Sequence, residues 1–306
     1  MYLAHNPKVT GSSLLTLKKY KTLITVISTY FEKKGITPNR FYCEHIDRSF
    51  YLAFHNYLVD RRLTNDSIAK YIECLKVFMR WARKMGHHDT HEFEGFSISR
   101  EKKDIIWLTE DEVMAIQRVD LEPGSNQDHV RNCFLFQIYT GQRFGDFEGF
   151  RRKHLHFISE TEIEWHLYQQ KGNKPKKVII PLLSPAIKIL SKYCIDSDPP
   201  EKQVFPVLSN VRTNKHIKAI CKKAGIDEMT SIVQYSGKNR IETSGPKYEF
   251  ISTHTARRTF VCLSIIKGLS ATYIMSITGH ENIRTMNKYL SISQEAKRKA
   301  FFDAWG

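Results

Sequence analysis

Four short segments hold side chains that could act together on a phosphodiester. In chain order they are TGQRFGD with Arg143 and Asp146, the turn QKGNKPK with Lys171 and Lys174, HTARRTF with His254 and Arg257, and TGHENIRTMNKYL with His280 and Tyr289. Phosphoryl transfer needs a nucleophile, a proton for the leaving oxygen and cations for the charge that develops on the phosphate oxygens. A phenol, a lysine or imidazole, and two guanidinium groups can supply these functions.

Each segment is a weak signal alone. Arginines are common on surfaces, lysines are common in turns, and a tyrosine is most often a packing residue. The HxxR spacing occurs a second time, at His45 and Arg48, in a region without the other motifs. The evidence is therefore the order of the segments: arginine, hairpin lysine, HxxR, Gly-His and then tyrosine.

This order resembles the tyrosine recombinases, the phage-integrase family that shares its chemistry with type IB topoisomerases. The resemblance extends from about residue 107 to residue 300. It implies that Arg143 and Arg257 hold the non-bridging oxygens of a scissile phosphate and that Tyr289 is the nucleophile. It also implies that Lys171 protonates the departing 5′ oxygen.

The resemblance further implies that His254 assists proton transfer, that His280 hydrogen-bonds the phosphate and that Asp146 orients its neighbours. The chain departs from the family pattern at the hairpin, which is about two residues longer than usual between Lys171 and Pro181. Lys174 is therefore a competitor for the catalytic role. Thr278 replaces the usual leucine before Gly-His, and Met286 stands where threonine is frequent. The resemblance therefore does not predict the packing at these two positions.

The implied function is site-specific DNA strand exchange through a 3′-phosphotyrosyl intermediate, as an integrase of a mobile element or conjugative transposon without the amino-terminal arm-binding domain. A homo-tetramer on double-stranded DNA is expected, with a monomer as the free form. The alternatives are a monomeric type IB topoisomerase-like enzyme and a catalytically silent DNA-binding regulator on the same fold. The sequence has no HExxH motif and no acidic cluster suited to two Mg²⁺ ions, so we expect no metal or other cofactor.

Composition agrees with a nucleic-acid partner. The formal net charge is +15, and both halves of the chain are basic. The sequence shows neither a membrane span nor a secretion signal, and its six scattered cysteines contain no CxxC pair. We expect reduced thiols and a cytoplasmic protein that does not bind membranes.

The predicted fold class is mainly α with small β-hairpins. We expect a helical domain at residues 1–86, which resembles the family's core-binding (SAM-like) domain in size, helicity and position. A linker is expected at 87–106, and the resemblance implies an α+β catalytic domain with a carboxyl-terminal tail at 107–306. In the first domain, a helix capped by Thr64 or Asn65 has an apolar stripe. Its polar faces carry four basic residues that either form a solvated surface or contact DNA phosphates: Lys76, Arg80, Arg83 and Lys84.

In the second domain, Thr109 and Glu112 have capping-box spacing, and Gly141 suits the end of a helix over 130–139. Residues 161–169 and 177–180 predict a hairpin, and 231–251 a second hairpin or an extended loop. Helices are expected at 184–194, 212–223 and from 254 onward. The tail, residues 293–305, either folds onto its own domain or docks on a neighbouring protomer.

Overall fold

The computed structural model describes residues 14–101, 104–159, 162–169, 176–194 and 197–290, with Phe302 and Trp305. The chain divides into two compact units. The first contains residues 1–104 together with 231–243, and the second contains 105–230 and 244–306. Each unit has its own apolar core, and helices with small antiparallel sheets make up the fold, which confirms the predicted fold class. Within the described ranges, every helix is too short or too polar to cross a membrane.

The described part of the first unit is built on three long helices. These are α1 (Leu14–Lys34), α2 (Arg48–Asp60) and α3 (Asn65–Lys84). Asp47 is the amino-terminal cap residue of α2, and its carboxylate accepts a hydrogen bond from the Phe50 amide at 2.7 Å. The predicted apolar stripe of α3 is confirmed, because Ile68, Leu75 and Met79 are buried in the core.

Residues 87–101, which form most of the linker predicted at 87–106, pack on the first unit. Phe93 and Phe96 are almost fully buried, and a short 3₁₀ turn, Glu92–Gly95, precedes Phe96. The ammonium group of Lys76 donates hydrogen bonds to the backbone oxygens of Glu94 and Phe96. Although most of this segment is polar, its two buried aromatic side chains hold it on the core.

The second unit contains the remaining helices and the larger sheet. Its elements are α4 (Glu110–Arg118), α5 (Asn126–Thr140), α6 (Phe144–Glu148), β1 (Leu155–Phe157), β2 (Ile163–Gln169), β3 (Lys176–Pro181), α7 (Ser184–Leu190), α8 (Asn210–Lys223), α9 (Thr253–Ile266), α10 (Ala271–Thr278) and α11 (Arg284–Leu290). The capping box at Thr109 and Glu112 is confirmed. So is the end of α5 at Gly141, which adopts the left-handed conformation with φ 69°.

The three-stranded sheet has the order β1-β2-β3, and both pairings are antiparallel. The predicted hairpin is confirmed as β2 and β3, with Glu164 opposite Pro181 and Gln169 opposite Lys176. Alternate residues of β2 are buried: three of them are apolar, and the fourth is Gln169 at the end of the strand. A polar group therefore occupies the last core-facing position of this strand.

A second hairpin connects β4 (Met229–Ser236) and β5 (Asn239–Pro246), at the position where the sequence predicts a hairpin or loop. Its tip belongs to the first unit. There the buried side chain of Asn65 donates to the Gly237 oxygen at 3.0 Å and accepts from the Gly237 nitrogen at 2.8 Å. Gly237 has φ 59°, a conformation in which glycine is favoured.

Candidate active site

Arg143 lies at the junction between α5 and α6. After Gly141 ends α5, Arg143 adopts an extended conformation and forms the amino-terminal cap position of α6. A Cβ atom on Gly141 would lie 2.4 Å from the ring of Phe260, so this glycine is required by packing as well as by its positive φ. The Arg143 side chain is 24% exposed, and its Nη1 atom lies 3.5 Å from the Asp146 carboxylate.

Arg257 projects from α9 into the same region and is 2% exposed. Its Nη1 atom donates to the Gly141 carbonyl at 3.0 Å, and Nη2 lies 3.2 Å from His280 Nε2. Burial, followed by the charge of Arg143, lowers the pKa of Arg257 to about 9, while Asp146 partly opposes this change. The guanidinium therefore stays charged at neutral pH, although it is held beside another cation. Such an arrangement favours binding of an anion.

His280 follows Gly279, which ends α10 with φ 68°. The hydroxyl of the fully buried Thr278 donates to the Ile274 oxygen at 2.6 Å and lies 2.8 Å from His280 Nδ1. Because this hydroxyl has only one hydrogen, Nδ1 must carry the proton and donate to it. Arg257 Nη2 lies 3.4 Å from Nδ1 and 3.2 Å from Nε2, so the guanidinium lies over the face of the ring. Thr278, where the family often has leucine, thus orients the imidazole.

The charge state of His280 agrees with these hydrogen bonds. Burial is the main cause that lowers the pKa of His280, to about 3, and the nearby cations Arg257, Arg143 and Lys288 lower it further, as does His254. The ring is therefore neutral in this arrangement. His254 itself is exposed in the first turn of α9.

Tyr289 lies on α11, which packs against α9, and it is 2% exposed. Burial raises the pKa of Tyr289, whereas the charges of Arg258 and Arg257 act in the opposite direction. The Nζ atom of Lys288 lies 5.2 Å from the centre of the Tyr289 ring. The phenol is thus protonated and covered, and it has three cationic neighbours. Met286, at the second departure from the family pattern, is fully buried in the same core.

Two buried glutamines join these parts, and sequence reasoning did not identify either of them. Gln169 Oε1 accepts a hydrogen bond from Arg143 Nη1 at 2.9 Å, and Gln169 Nε2 donates to Gln142 Oε1 at 2.9 Å. We call Gln142 and Gln169 the amide pair. The available signal was a polar residue on the apolar face of β2, where Ile163, Trp165 and Leu167 precede Gln169.

The structure thus brings Arg143, Arg257, His280 and Asp146 together, with His254 and Tyr289 on α9 and α11. Lys171 and Lys174 lie outside the described residues, as does the predicted tail apart from Phe302 and Trp305.

The four basic residues predicted to contact DNA lie on α3 in the first unit, and three of them have protein partners. Lys76 binds backbone oxygens, as described above. Arg80 Nε donates to the Glu94 carboxylate at 2.7 Å, and Arg83 Nη1 lies 2.6 Å from His91 Nδ1. Lys84 is exposed. Part of this basic surface therefore helps to hold segment 87–101.

Comparison with known proteins gives matches over both units. The phage integrase family model matches residues 106–296, and the phage integrase SAM-like domain model matches residues 2–102. A tyrosine recombinase of Thermosipho africanus (strain TCF52B) is 25% identical over 99% of this chain and 95% of its own length. Tyrosine recombinase XerC of Syntrophus aciditrophicus (strain SB) is 22% identical over 91% of this chain and 87% of its own.

Solved structures show a similar fold. The Tn1549 transposon integrase in complex with transposon right end DNA has a TM-score of 0.66 at 15% identity, covering 99% of this chain and 98% of that chain. A lambda integrase dimer bound to a COC′ core site has a TM-score of 0.63 at 18% identity, covering 92% and 90%. A lambda integrase tetramer bound to a Holliday junction has a TM-score of 0.64 at 17% identity, covering 94% and 74%.

Proposed function

Because the chain belongs to the phage integrase family, we propose that it is a site-specific DNA recombinase that cleaves and rejoins strands through a phosphotyrosyl bond at Tyr289. One observation carries the assignment of residues. The buried guanidinium of Arg257 is held beside Arg143 and His280 by neutral partners, on the helix against which the Tyr289 helix packs. This is a site for a bound anion next to a potential nucleophile.

The scissile phosphate is the anion that fits. Two guanidinium groups can each bind its non-bridging oxygens and stabilise the charge that develops on them. Burial and then the charge of Arg143 lower the pKa of Arg257, and a phosphate beside it would relieve the second of these effects. The net charge of +15 favours the approach of DNA and makes its binding sensitive to salt.

The reaction then requires one bond to form and one to break. The phenolic oxygen of Tyr289 attacks the phosphorus, and the bond from phosphorus to the 5′ oxygen breaks. The phenolic proton passes to a base, for which we propose His254, and a lysine protonates the departing 5′ oxygen. That lysine is Lys171 or its competitor Lys174. Attack by the 5′ hydroxyl of another strand reverses these steps and restores the phenol.

The Tyr289 phenol is protonated and buried in the free protein, and both properties must change when DNA binds. A phenol of ordinary pKa is ionised at neutral pH only at a cost of about 4 kcal/mol, and burial raises the pKa of Tyr289 further. Its hydroxyl must therefore be uncovered and must lose its proton as it attacks. His280 changes as well, because a phosphate beside Arg257 raises the pKa of His280 and allows Nε2 to carry a proton and donate to the phosphate.

Further expectations follow for the partner and the assembly. We propose that the substrate is double-stranded DNA and that four copies act together on two sites, with the carboxyl-terminal tail as a candidate contact between copies. Lys84 would contribute more to phosphate contacts than Lys76, Arg80 and Arg83, which are bound to segment 87–101. We propose that it acts on DNA in the cytoplasm.

The test is capture of the covalent adduct. A library of nicked duplexes with a randomised centre is incubated with the protein in EDTA, denatured in detergent and separated by phenol extraction, and the retained DNA is sequenced. We expect retained DNA with the wild type, none with Tyr289→Phe, and wild-type yield with Tyr273→Phe. Tyr273 is a matched control because it lies half-exposed on α10.

The outcomes separate the alternatives. An adduct that persists in Tyr289→Phe rejects the nucleophile. Absence of an adduct with the wild type on a duplex that it demonstrably binds supports a silent regulator. Relaxation of supercoiled plasmid without any paired site supports a topoisomerase-like enzyme instead of a recombinase.

A further inference from the structure

The amide pair connects the ends of three elements at the candidate site. Gln142 follows α5, Gln169 is the last residue of β2, and both side chains are almost fully buried. Gln142 Nε2 donates to the Thr140 and Ile277 oxygens, each at 2.8 Å. Gln169 Nε2 donates to Gln142 Oε1 at 2.9 Å and to the Thr278 oxygen at 3.2 Å.

These hydrogen bonds fix the orientation of both amides. Both hydrogens of each NH₂ group meet an oxygen, and the carbonyls of Ile277 and Thr278 are among those that the end of α10 leaves without helical partners. A flip of either amide would place an oxygen against these carbonyls and a buried NH₂ group against a donor. Three of the four polar atoms of the amide pair are used in these hydrogen bonds. The fourth, Gln169 Oε1, is therefore directed at Arg143 Nη1, 2.9 Å away.

We propose that Gln169 is a positioning residue for Arg143 in the recombination reaction, with Gln142 fixing the direction of the Gln169 amide. A neutral carbonyl is suited to this role. It holds one end of the guanidinium in place without neutralising its charge, so the charge remains available to the phosphate. A carboxylate in the same place would compete with the phosphate. This inference rests on the proposed function, because it needs Arg143 to act on a scissile phosphate.

Gly279 is part of the same arrangement. A Cβ atom at this position would lie 2.1 Å from Gln169 Oε1. The glycine of the Gly-His motif thus leaves space for the amide that orients Arg143, in addition to adopting φ 68°.

The test is single-turnover cleavage of a nicked duplex recovered in the adduct screen. Gln169→Met keeps the length of the side chain and removes its hydrogen bonds. We expect cleavage to fall by about 10- to 100-fold, the effect of one hydrogen bond to a charged group, while DNA affinity measured by gel shift changes by less than about twofold. Gln137→Met is the matched control: Gln137 is also a buried glutamine, its Nε2 atom has no partner among the described residues, and its rate should stay at the wild-type level.

A double-mutant cycle separates positioning from a merely structural role. In an Arg143→Lys background, the group that Gln169 orients is absent, so Gln169→Met should slow cleavage by less than about twofold. The same 10- to 100-fold loss in both backgrounds would overturn the proposal. If thermal unfolding shows that Gln169→Met is not folded, Gln169→Asn replaces it. That variant keeps a buried amide but withdraws the oxygen from Arg143.

A substrate with sulfur in place of the 5′ bridging oxygen tests whether Gln169 acts instead through protonation of the leaving group. A sulfur leaving group needs no proton, so it restores cleavage only if the defect lies in protonation by the hairpin lysine. Full rescue of Gln169→Met would assign its effect to that step and overturn the assignment to Arg143, whereas a persisting defect supports it. A wild type that forms the adduct while Gln169→Met cleaves at full rate overturns this inference alone. A wild type without any adduct overturns the proposed function as well.

Discussion

Lowering the pH should destabilise the second unit, and His280 should account for a measurable part of the loss. Burial and the surrounding cations lower the pKa of His280 from 6.5 to about 3, so the native ring stays neutral where an unfolded chain takes up a proton. The stability that this group contributes is complete above pH 6.5, and it is lost as the pH falls below that value because the unfolded state then binds more protons.

The magnitude follows from the shift. At pH 5, which is 1.5 pH units below the ordinary pKa, the loss would be about 2 kcal/mol for a fully buried ring. His280 is partly exposed, so screening by water reduces this value, and we expect about 1 to 2 kcal/mol at pH 5. For a unit of this size, that corresponds to a Tm lower by about 2 to 8 °C.

The assay compares the wild type with His280→Gln by differential scanning calorimetry at pH 7.5 and pH 5. Both proteins lose stability through other groups, such as His154, whose pKa is also lowered, but only the wild type carries the His280 contribution. The wild-type Tm should therefore fall further by the stated amount. Equal losses in the two proteins would refute the reasoning, as would a ring-proton NMR signal of His280 that titrates near pH 6.5 in the native state.

Three further predictions concern single side chains. Gly279→Ala should lower the Tm and slow cleavage at least tenfold, because its methyl group displaces Gln169. Gly268→Ala is the control, since Gly268 has φ 85° but a Cβ atom there would meet nothing within 4 Å. It should cost about 1 kcal/mol of backbone strain and leave cleavage intact. Thr278→Val should remove the acceptor for Nδ1 and shift the His280 tautomer, which ¹⁵N NMR of the ring detects; an unchanged tautomer would contradict the assignment. Asn65→Ala should destabilise the first unit by about 1 to 3 kcal/mol and speed amide exchange at Gly237, and the exposed Asn56→Ala should not.

Local signals in the sequence were sufficient for the elements that carry the site. The capping box at Thr109, the helix end at Gly141 and the β2–β3 hairpin all depend on contacts within a few residues, and turn chemistry or periodicity reveals them. The order of the motifs then identified the family. The structure describes neither hairpin lysine, so the choice between Lys171 and Lys174 stays a prediction.

Long-range contacts were beyond that reasoning. Gln142 and Gln169 are 27 residues apart in the chain, and Asn65 and Gly237 are 172 apart, so no local pattern connects them. A glutamine on the buried face of a strand indicates an unexplained polar partner, but its identity depends on how distant elements pack. For the same reason, the polar composition of 87–106 predicted a linker, although the buried Phe93 fastens the first part of this segment to a core.

The contacts of the two arginines explain how a folded protein can keep a strong cationic site for the proposed phosphate. Arg257 donates to a backbone carbonyl and Arg143 to an amide oxygen, so each guanidinium is positioned by a neutral acceptor. Carboxylates in those places would stabilise the free protein more, but they would have to be displaced by the phosphate. Asp146, at 3.5 Å from Arg143, is a looser partner. Burial and then the charge of Arg143 lower the pKa of Arg257, and the proposed phosphate would relieve the repulsion between the two cations when it binds.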